Sequence, residues 1–168
     1  MIIGTFKNEC KERGYDAAAA LMDALVSRDT DKVSGYLNDN IIHESIWHDE
    51  PVTGKENVIE FYKTMGERYT EAGIESWGEI VKIATRPQEV QNTTVMVKGE
   101  PMHADRLIIM NPDFGKLSVL FYARFPETGK VQTTLFIPTL GRNGKIDKVL
   151  STAPAEYDLL KISGEKQN

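Results

Sequence analysis

Two histidines and three acidic residues lie within eight positions of the chain, in the segment HESIWHDE at residues 43–50. Imidazole and carboxylate groups this close together can bind a metal ion, or they can pass protons to and from a small molecule. The spacing of these residues, and the elements that carry them, decide between the two kinds of chemistry.

A metal site is disfavoured by the spacing of the two histidines. A zinc protease helix carries H-E-x-x-H, which places both rings on one face, whereas His43 and His48 are five residues apart. Five residues turn about 140° around a helix, and positions of opposite parity in a strand point to opposite faces. A metal ion would need distant ligands, so we expect no metal site here. We expect no other cofactor either, because proton transfer requires only positioned groups in a water-poor cavity.

Acid–base chemistry by Glu44 is the second interpretation. In a strand, one face carries Ile42, Glu44, Ile46 and His48, and the other carries residues 41, 43, 45, 47 and 49. A carboxylate between two isoleucines on a covered face loses hydration, which raises its pKa toward that of a general base. His48 lies about 13 Å further along and could flank the same ligand. The alternative is that Glu44 faces solvent or pairs with a basic residue of a neighbouring strand.

The first half of the chain has the periodicity of helices around this strand. Apolar residues recur at helical spacing in residues 15–27, in a short segment after Asp29-Thr30, and in residues 53–72. Thr53 and Glu56 form a T-x-x-E pattern that predicts a capping box, and Gly73 is a plausible helix stop. Residues 41–48, rich in β-branched and aromatic side chains, are predicted to form a strand between the second and third helices.

The second half of the chain changes to the period-two pattern of strands. The predicted strands are 74–85, 89–97, 103–110, 117–125, 131–139 and 145–152. Short turns such as PETG and GRNG join the later strands and imply antiparallel neighbours. Helices followed by a run of strands predict an α+β domain with the helices packed on one face of the sheet.

Two further polar groups could contribute to a site. In the strand LSVLFYARF, alternate residues from Leu117 to Phe125 form a core face, and Tyr122 and Arg124 lie on the other face. They could donate to an oxyanion and bind a carboxylate, or they could form a dimer interface, where Tyr and Arg are enriched. His103 and Asp105 share a strand face and could form an oriented base, although a surface contact is the commoner role of such a pair.

Composition narrows the class of protein. The 168 residues fit one domain, with an expected core at about 15–153 and a flexible tail at 163–168. A net charge of −5 disfavours a nucleic-acid partner, and no signal peptide or membrane span is evident, so we expect a cytoplasmic protein without a membrane partner. Cys10 is the single cysteine, which excludes an internal disulfide.

The order of these features resembles the nuclear-transport-factor-2-like superfamily in its SnoaL-like branch. The resemblance covers about residues 15–72 and rests on several short patterns: Ala24-Leu25 with Asp29 and Asp31, Tyr36 with Asp39, the strand 41–48, Gly54-Lys55-Glu56, and Phe61-Tyr62. It implies a cone-like α+β fold in which a strongly curved antiparallel sheet wraps the helices around an apolar pocket. It also implies that homodimers through the outer face of the sheet are common.

The resemblance leaves two functions open. Glu44 matches the catalytic Asp of the ketosteroid isomerases, but Leu21 stands where those enzymes carry an oxyanion-binding Tyr. The first function is cofactor-independent isomerisation, dehydration or cyclisation of an apolar ring or polyketide-like compound. Glu44 would be the base, and Tyr122, His48 or His103 would steady the charge or return the proton. Ile42, Ile46, Tyr62, Asp105 and Arg124 would help to bind the ligand. The second function is a non-catalytic ligand-binding or dimeric interaction module.

Overall fold

The computed structural model describes residues 1–7 and 12–163 of the chain. Cys10, and the predicted tail beyond Ser163, lie outside the described residues. The helices are α1 (Tyr15–Val26), α2 (Asp31–Ser34) and α3 (Lys55–Glu71), with one 3₁₀ turn at Pro154–Glu156. The strands are β1 (Ile2–Lys7), β2 (Leu37–Ser45), β3 (Val52–Thr53), β4 (Glu75–Ile83), β5 (Gln88–Val97), β6 (Glu100–Ile109), β7 (Leu117–Arg124), β8 (Val131–Leu140), β9 (Ile146–Thr152) and β10 (Leu159–Ser163).

Eight of these strands form one sheet in the order β1-β10-β4-β7-β8-β9-β2-β3. The β1–β10 and β2–β9 pairs are parallel and the other pairs are antiparallel. Register shifts interrupt the β2–β9 and β8–β9 ladders, and such irregularities bend a sheet. The predicted α+β class, with helices packed on one face of a curved sheet, is confirmed.

The main hydrophobic core lies between the helices and one face of the sheet, which we call the inner face. It combines Leu21 and Leu25 of α1, Tyr62 of α3, and Phe121 and Phe136 of the sheet. The alternation predicted in β7 is confirmed here, because alternate residues of that strand, from 119 to 123, join this core. On the outer face, Leu120 packs in a second apolar cluster with strands β4, β8 and β10.

The start of α3 differs from the predicted capping box. The helix begins at Lys55 after Gly54, and no side chain makes a cap hydrogen bond there. Gly54 has φ 90°, a backbone conformation that favours glycine, and its N–H donates to the carbonyl of Ile41 at 2.8 Å. That bond holds the start of α3 against β2. A strand carbonyl thus satisfies a backbone N–H at the helix start, where the T-x-x-E pattern predicts that side chains would do so. The predicted stop at Gly73 has a left-handed φ of 68°.

Two parts of the sheet arrangement differ from the prediction. β1 and β10 lie outside the predicted core of 15–153, yet both belong to the main sheet. β5 and β6 form where strands are predicted, but they make a separate two-stranded sheet, and β4 pairs directly with β7. No helix among the described residues is long and apolar enough to cross a membrane.

Candidate functional site

Glu44 lies on the outer face of the sheet, and the expectation that it faces a covered interior is wrong. Its side chain is 44% exposed, and its carboxylate pairs with the Lys148 ammonium of the adjacent strand at 2.9 Å. Ile42 and Ile46 share this face; Ile42 is half-buried and Ile46 is exposed. The carboxylate is thus open to solvent and paired with a cation, rather than enclosed between Ile42 and Ile46.

His43, on the opposite parity of β2, is the polar side chain that enters the core. Its side chain is 2% exposed and lies beside the rings of Phe61 and Phe136. Its Nδ1 is 3.0 Å from the phenol oxygen of Tyr62, and its Nε2 is 3.4 Å from Oγ of Ser151. Tyr62 is fully buried and Ser151 nearly so, so these three polar side chains form a chain of contacts inside an apolar core.

The hydrogen-bond network assigns the tautomer of His43. The phenol of Tyr62 needs an acceptor, and Nδ1 supplies one if the imidazole proton is on Nε2. The Nε2–H then points at Ser151, whose hydroxyl in turn donates to the carbonyl of Glu44 at 3.5 Å. In this arrangement every donor of the three side chains has an acceptor, which is what a buried polar group requires.

Burial keeps both ring systems neutral. Loss of hydration, with a smaller contribution from the charge of His48, lowers the pKa of His43 to about 4 from its ordinary 6.5. Burial also raises the pKa of Tyr62 well above its ordinary value of 10. At neutral pH the pair therefore consists of an uncharged imidazole and a protonated phenol, both held in fixed orientation.

Local structure explains why this site forms where it does. His43 pairs with Val52 in the β2–β3 ladder, so the intervening loop folds back over the end of β2. Gly54 then starts α3, and Phe61 and Tyr62 arrive two turns later on the side of the helix that contacts β2. The turn at 46–51 is exposed and carries His48, Asp49 and Glu50 to the rim.

An open cleft of about 310 Å³ lies between this rim and the core. Val52 and Phe61 supply apolar walls, His43 and Ser45 lie along β2, and His48 closes one side with two acidic neighbours, Asp49 and Glu50. A second, smaller cleft of about 240 Å³ adjoins it, between Glu44 and His48. Of the predicted catalytic residues, the structure thus brings Glu44 and His48 to one region, with Glu44 outside the cleft that His43 lines.

Tyr122 and Arg124 lie on the outer face of the sheet, away from this cleft. The hydroxyl of Tyr122 donates to Oε1 of Glu79 at 2.6 Å, and its ring stacks on Trp77 at 5.4 Å. Burial and the Glu79 carboxylate raise the pKa of Tyr122 above its ordinary value. Arg124 lies 5.2 Å from the Trp77 ring and 3.5 Å from Glu75. These contacts place Tyr122 and Arg124 outside the cleft, so the geometry does not match the predicted pocket role.

His103 and Asp105 also lie far from the cleft, on β6. Nε2 of His103 is 3.0 Å from the Asp105 carboxylate, and both side chains are largely exposed. The pair is thus a surface contact on the separate hairpin. Among the described residues no group of three His, Cys, Asp or Glu side chains is placed to hold a metal ion.

The sequence prediction missed the polar core residues His43 and Ser151 and the walls Val52 and Phe61. Isoleucines occur on both faces of the 41–48 segment, so alternation alone could not choose the covered face. Leu37 was a usable signal for the covered face. It is apolar and lies on the same strand face as Ile41 and His43. Both Leu37 and Ile41 are buried in the main core.

Comparison with known proteins yields structural neighbours. No protein-family model matches the chain, and no curated protein matches it. A SnoaL-like protein of unknown function from Burkholderia thailandensis is 15% identical, with a TM-score of 0.43 over 86% of this chain and 92% of its own. A provisionally named polyketide cyclase from Xanthomonas campestris is 12% identical, with a TM-score of 0.48 over 86% of this chain and 92% of its own.

A third neighbour is a provisionally named ketosteroid isomerase from Kribbella flavida. It is 10% identical, with a TM-score of 0.48 over 93% of this chain and 82% of its own. At 10% to 15% identity these names describe the neighbours and not an activity of this chain. The α+β architecture, with its helices on one face of a bent sheet, agrees with the fold class that the resemblance of residues 15–72 implies.

Proposed function

We propose that the chain binds a small molecule in the cleft beside His43 and does so without acid–base catalysis. The observation that carries this proposal is the buried neutral imidazole of His43, which lines the cleft and is fixed by Tyr62 and Ser151. Ligand sites are typically concave and mostly apolar, with a few polar groups held in place. The cleft volume of about 310 Å³ is at the small end of such sites.

The lining of the cleft indicates the chemistry of the ligand. Val52 and Phe61 suit an apolar or aromatic body. Asp49 and Glu50 at the rim are negatively charged hydrogen-bond acceptors. They therefore favour a ligand whose polar end is cationic or donates hydrogen bonds. A small aromatic amine or alcohol fits this description better than a carboxylate does.

Catalysis as an isomerase, dehydratase or cyclase has less support from the same geometry. A general base works best with a pKa near the operating pH, and a pKa of about 4 makes His43 a weak base. Its Nδ1 lone pair is also engaged by Tyr62. Glu44 is on the other face of the strand, paired with Lys148. Proton transfer would need a base that neither His43 nor Glu44 supplies in the cleft, whereas ligand binding needs only the positioned side chains.

A binding screen with two matched variants tests the proposal. Small aromatic amines and alcohols are titrated into ¹⁵N-labelled protein, and shifts are followed at the amides of His43, Val52 and Phe61. Val52→Trp fills the cleft and should abolish binding, whereas Val131→Trp, at an exposed position of β8, should leave it unchanged. No binding to the wild type, or equal binding to both variants, would overturn the proposal.

The rim offers a milder variant in case the tryptophan at position 52 disturbs the β2–β3 pair. Asp49→Asn combined with Glu50→Gln changes two exposed side chains. It should weaken binding of the amines and leave binding of the uncharged alcohols nearly unchanged. Equal affinity for the amines in the double variant would contradict the assigned role of the acidic rim.

A further inference from the structure

The β5–β6 hairpin is set apart from the rest of the fold. Its two ten-residue strands pair from Gln88 opposite Ile109 to Val97 opposite Glu100, with a break at Asn92, whose φ is 48°. Within the described part of the chain neither strand hydrogen-bonds to the eight-stranded sheet. Both outer edges of the hairpin are therefore free of a third strand.

Exposed apolar side chains mark this hairpin as incomplete by itself. Met96 is 67% exposed and Met102 is 53% exposed near the tip, and Ile108 and Ile109 are each half-exposed near the base. A two-stranded hairpin is at best marginally stable in water, and three or more strands with a hydrophobic face are usually needed. A further strand on one edge would supply what the hairpin lacks.

The turn of the hairpin determines which backbone groups point outward. Lys98 and Gly99 have φ of 49° and 81°, so the two-residue loop is a type I′ turn. Val97 and Glu100 beside such a turn form a hydrogen-bonded pair, and the pairs then alternate along the ladder. Thr94 and His103, which lie opposite each other, therefore direct their N–H and C=O groups away from the hairpin.

The two outer edges differ in how well they are protected against pairing. On β6, Pro101 occupies an outward-facing position and removes its N–H, and Asp105 and Arg106 add charges. On β5, the sequence QEVQNTTVMV has no proline and no lysine, and Glu89 is its one charged residue. Natural edge strands usually carry such protection. On β5 the left-handed Asn92 interrupts the strand, and residues 93–97 beyond it have none of these devices, so this stretch is the pairing surface.

We propose that the β5 edges of two copies of this chain pair antiparallel about a two-fold axis and form a four-stranded intermolecular sheet. A two-fold interface uses the same surface on both partners, and an antiparallel strand can pair with its own copy in this way. The outward N–H and C=O groups of Thr94 and Met96 would then be satisfied by the second copy. The apolar side chains near the tip gain neighbours in the wider sheet.

Charge distribution along β5 agrees with self-pairing. In a register centred on Thr94, Glu89 of one copy lies far from Glu89 of the other. It lies instead beside the turn of the second copy, where Lys98 is located. Like charges are kept apart, and Glu89, which already pairs with Arg106 of its own hairpin, approaches a second cation, an arrangement that favours association.

Matched proline variants on the two edges test this interface in the full-length chain. Thr94→Pro removes an outward N–H of β5 without removing a hydrogen bond within the hairpin, and His103→Pro does the same on β6. By light scattering after size exclusion, the wild type should have twice the monomer mass of 18.9 kDa. Thr94→Pro should reduce it to the monomer mass, and His103→Pro should not.

Each other result of that experiment overturns the proposal. A monomeric wild type shows that the β5 edge does not self-pair at the concentrations used. A dimer that survives Thr94→Pro uses another surface, such as the outer sheet face around Trp77 and Tyr122. Dissociation by both variants shows that the β5 edge is not the specific determinant.

Hydrogen exchange on the wild-type protein gives a second measurement that needs no variant. Outward amides of an open hairpin exchange rapidly, whereas amides in a sheet interior are protected. The amides of Thr94 and Met96 should be protected at high protein concentration. Their protection factors should fall at least tenfold on dilution. The His103 and Leu107 amides on the opposite edge should exchange rapidly throughout. Equal exchange on both edges would contradict the proposal.

Discussion

Nδ1 of His43 lies 3.0 Å from the phenol oxygen of Tyr62, and both side chains are buried. Removing the hydroxyl by Tyr62→Phe leaves the imidazole nitrogen without a partner in an apolar core. An unsatisfied buried polar group costs about 1–3 kcal/mol. We therefore expect the free energy of unfolding to fall by about that amount, measured by urea denaturation at pH 7.

Tyr69 on the same helix provides the control for this prediction. Its side chain is half-buried beside Phe121, and its hydroxyl has no hydrogen-bond partner among the described protein groups. Tyr69→Phe should therefore change the free energy of unfolding by less than about 0.5 kcal/mol. Equal losses in Tyr62→Phe and Tyr69→Phe would show that the contact with His43 contributes nothing specific.

The lowered pKa of His43 predicts a dependence of stability on pH. The folded-state pKa is about 4 and the ordinary value is 6.5, so between these values the unfolded chain binds the extra proton. Stability is thus fully present above about pH 6.5 and is lost as the pH falls toward 4. From pH 7 to pH 5 we expect His43 to account for a loss of about 2 kcal/mol, measured by urea unfolding.

Substitution of single histidines isolates this contribution. His43→Gln removes the titrating group, so the stability lost between pH 7 and pH 5 should shrink by about 2 kcal/mol. His103→Gln, at an exposed position beside Asp105, should keep the full wild-type dependence. A wild-type pH profile in His43→Gln would mean that other groups cause the acid sensitivity.

Strand and helix positions were predictable because they depend on local periodicity. β7 was expected at 117–125 and lies at Leu117–Arg124, and α3 was expected at 53–72 and lies at Lys55–Glu71. Alternation also separated Ile42 and Glu44 from Ile41 and His43 correctly, but β2 ends at Ser45, so the predicted placing of His48 on the face of Glu44 was wrong: His48 lies in the following turn and lines the cleft of His43. Alternation could not identify the inner face, because which side α3 covers is a tertiary property of the fold.

Long-range pairing was the other property that local patterns could not supply. β1 joins the sheet by parallel pairing with β10, more than 150 residues away in the chain. β5 and β6 have the alternation of sheet strands, yet they leave the main sheet and pair only with each other among the described strands. The turn at Lys98-Gly99 specifies the hairpin, and nothing local specifies where the hairpin docks.

The ion pair between Glu44 and Lys148 should contribute little to stability. Both side chains are more than two-fifths exposed, so solvent screens their attraction. In a double-mutant cycle with Glu44→Gln and Lys148→Gln, the coupling energy should be below about 1 kcal/mol and should fall further in 0.5 M salt. A larger coupling that resists salt would indicate that Glu44 is desolvated in solution, and would return it as a candidate base.

Gly78 in β4 allows α1 to pack closely against the sheet. A methyl group added there would lie 3.2 Å from the backbone oxygen of Leu120 and 3.2 Å from Cγ2 of Val26, with Met22 at 3.5 Å. Since the backbone oxygen cannot move without shifting the β4–β7 pair, Gly78→Ala should destabilise the fold by about 1–3 kcal/mol.

The exposed turn glycine Gly35 gives the comparison for this packing effect. Its added methyl group would meet its nearest neighbour, the backbone oxygen of Lys32, at an ordinary 3.6 Å, and its φ of −71° is open to alanine. Gly35→Ala should thus be neutral or stabilising by a few tenths of a kcal/mol, because alanine restricts the unfolded chain. In thermal unfolding experiments, Gly78→Ala should have a lower Tm than the wild type, and Gly35→Ala should not. An unchanged Tm there would mean that α1 moves away from β4 at little cost, and that its contact with the sheet is looser than the distances imply.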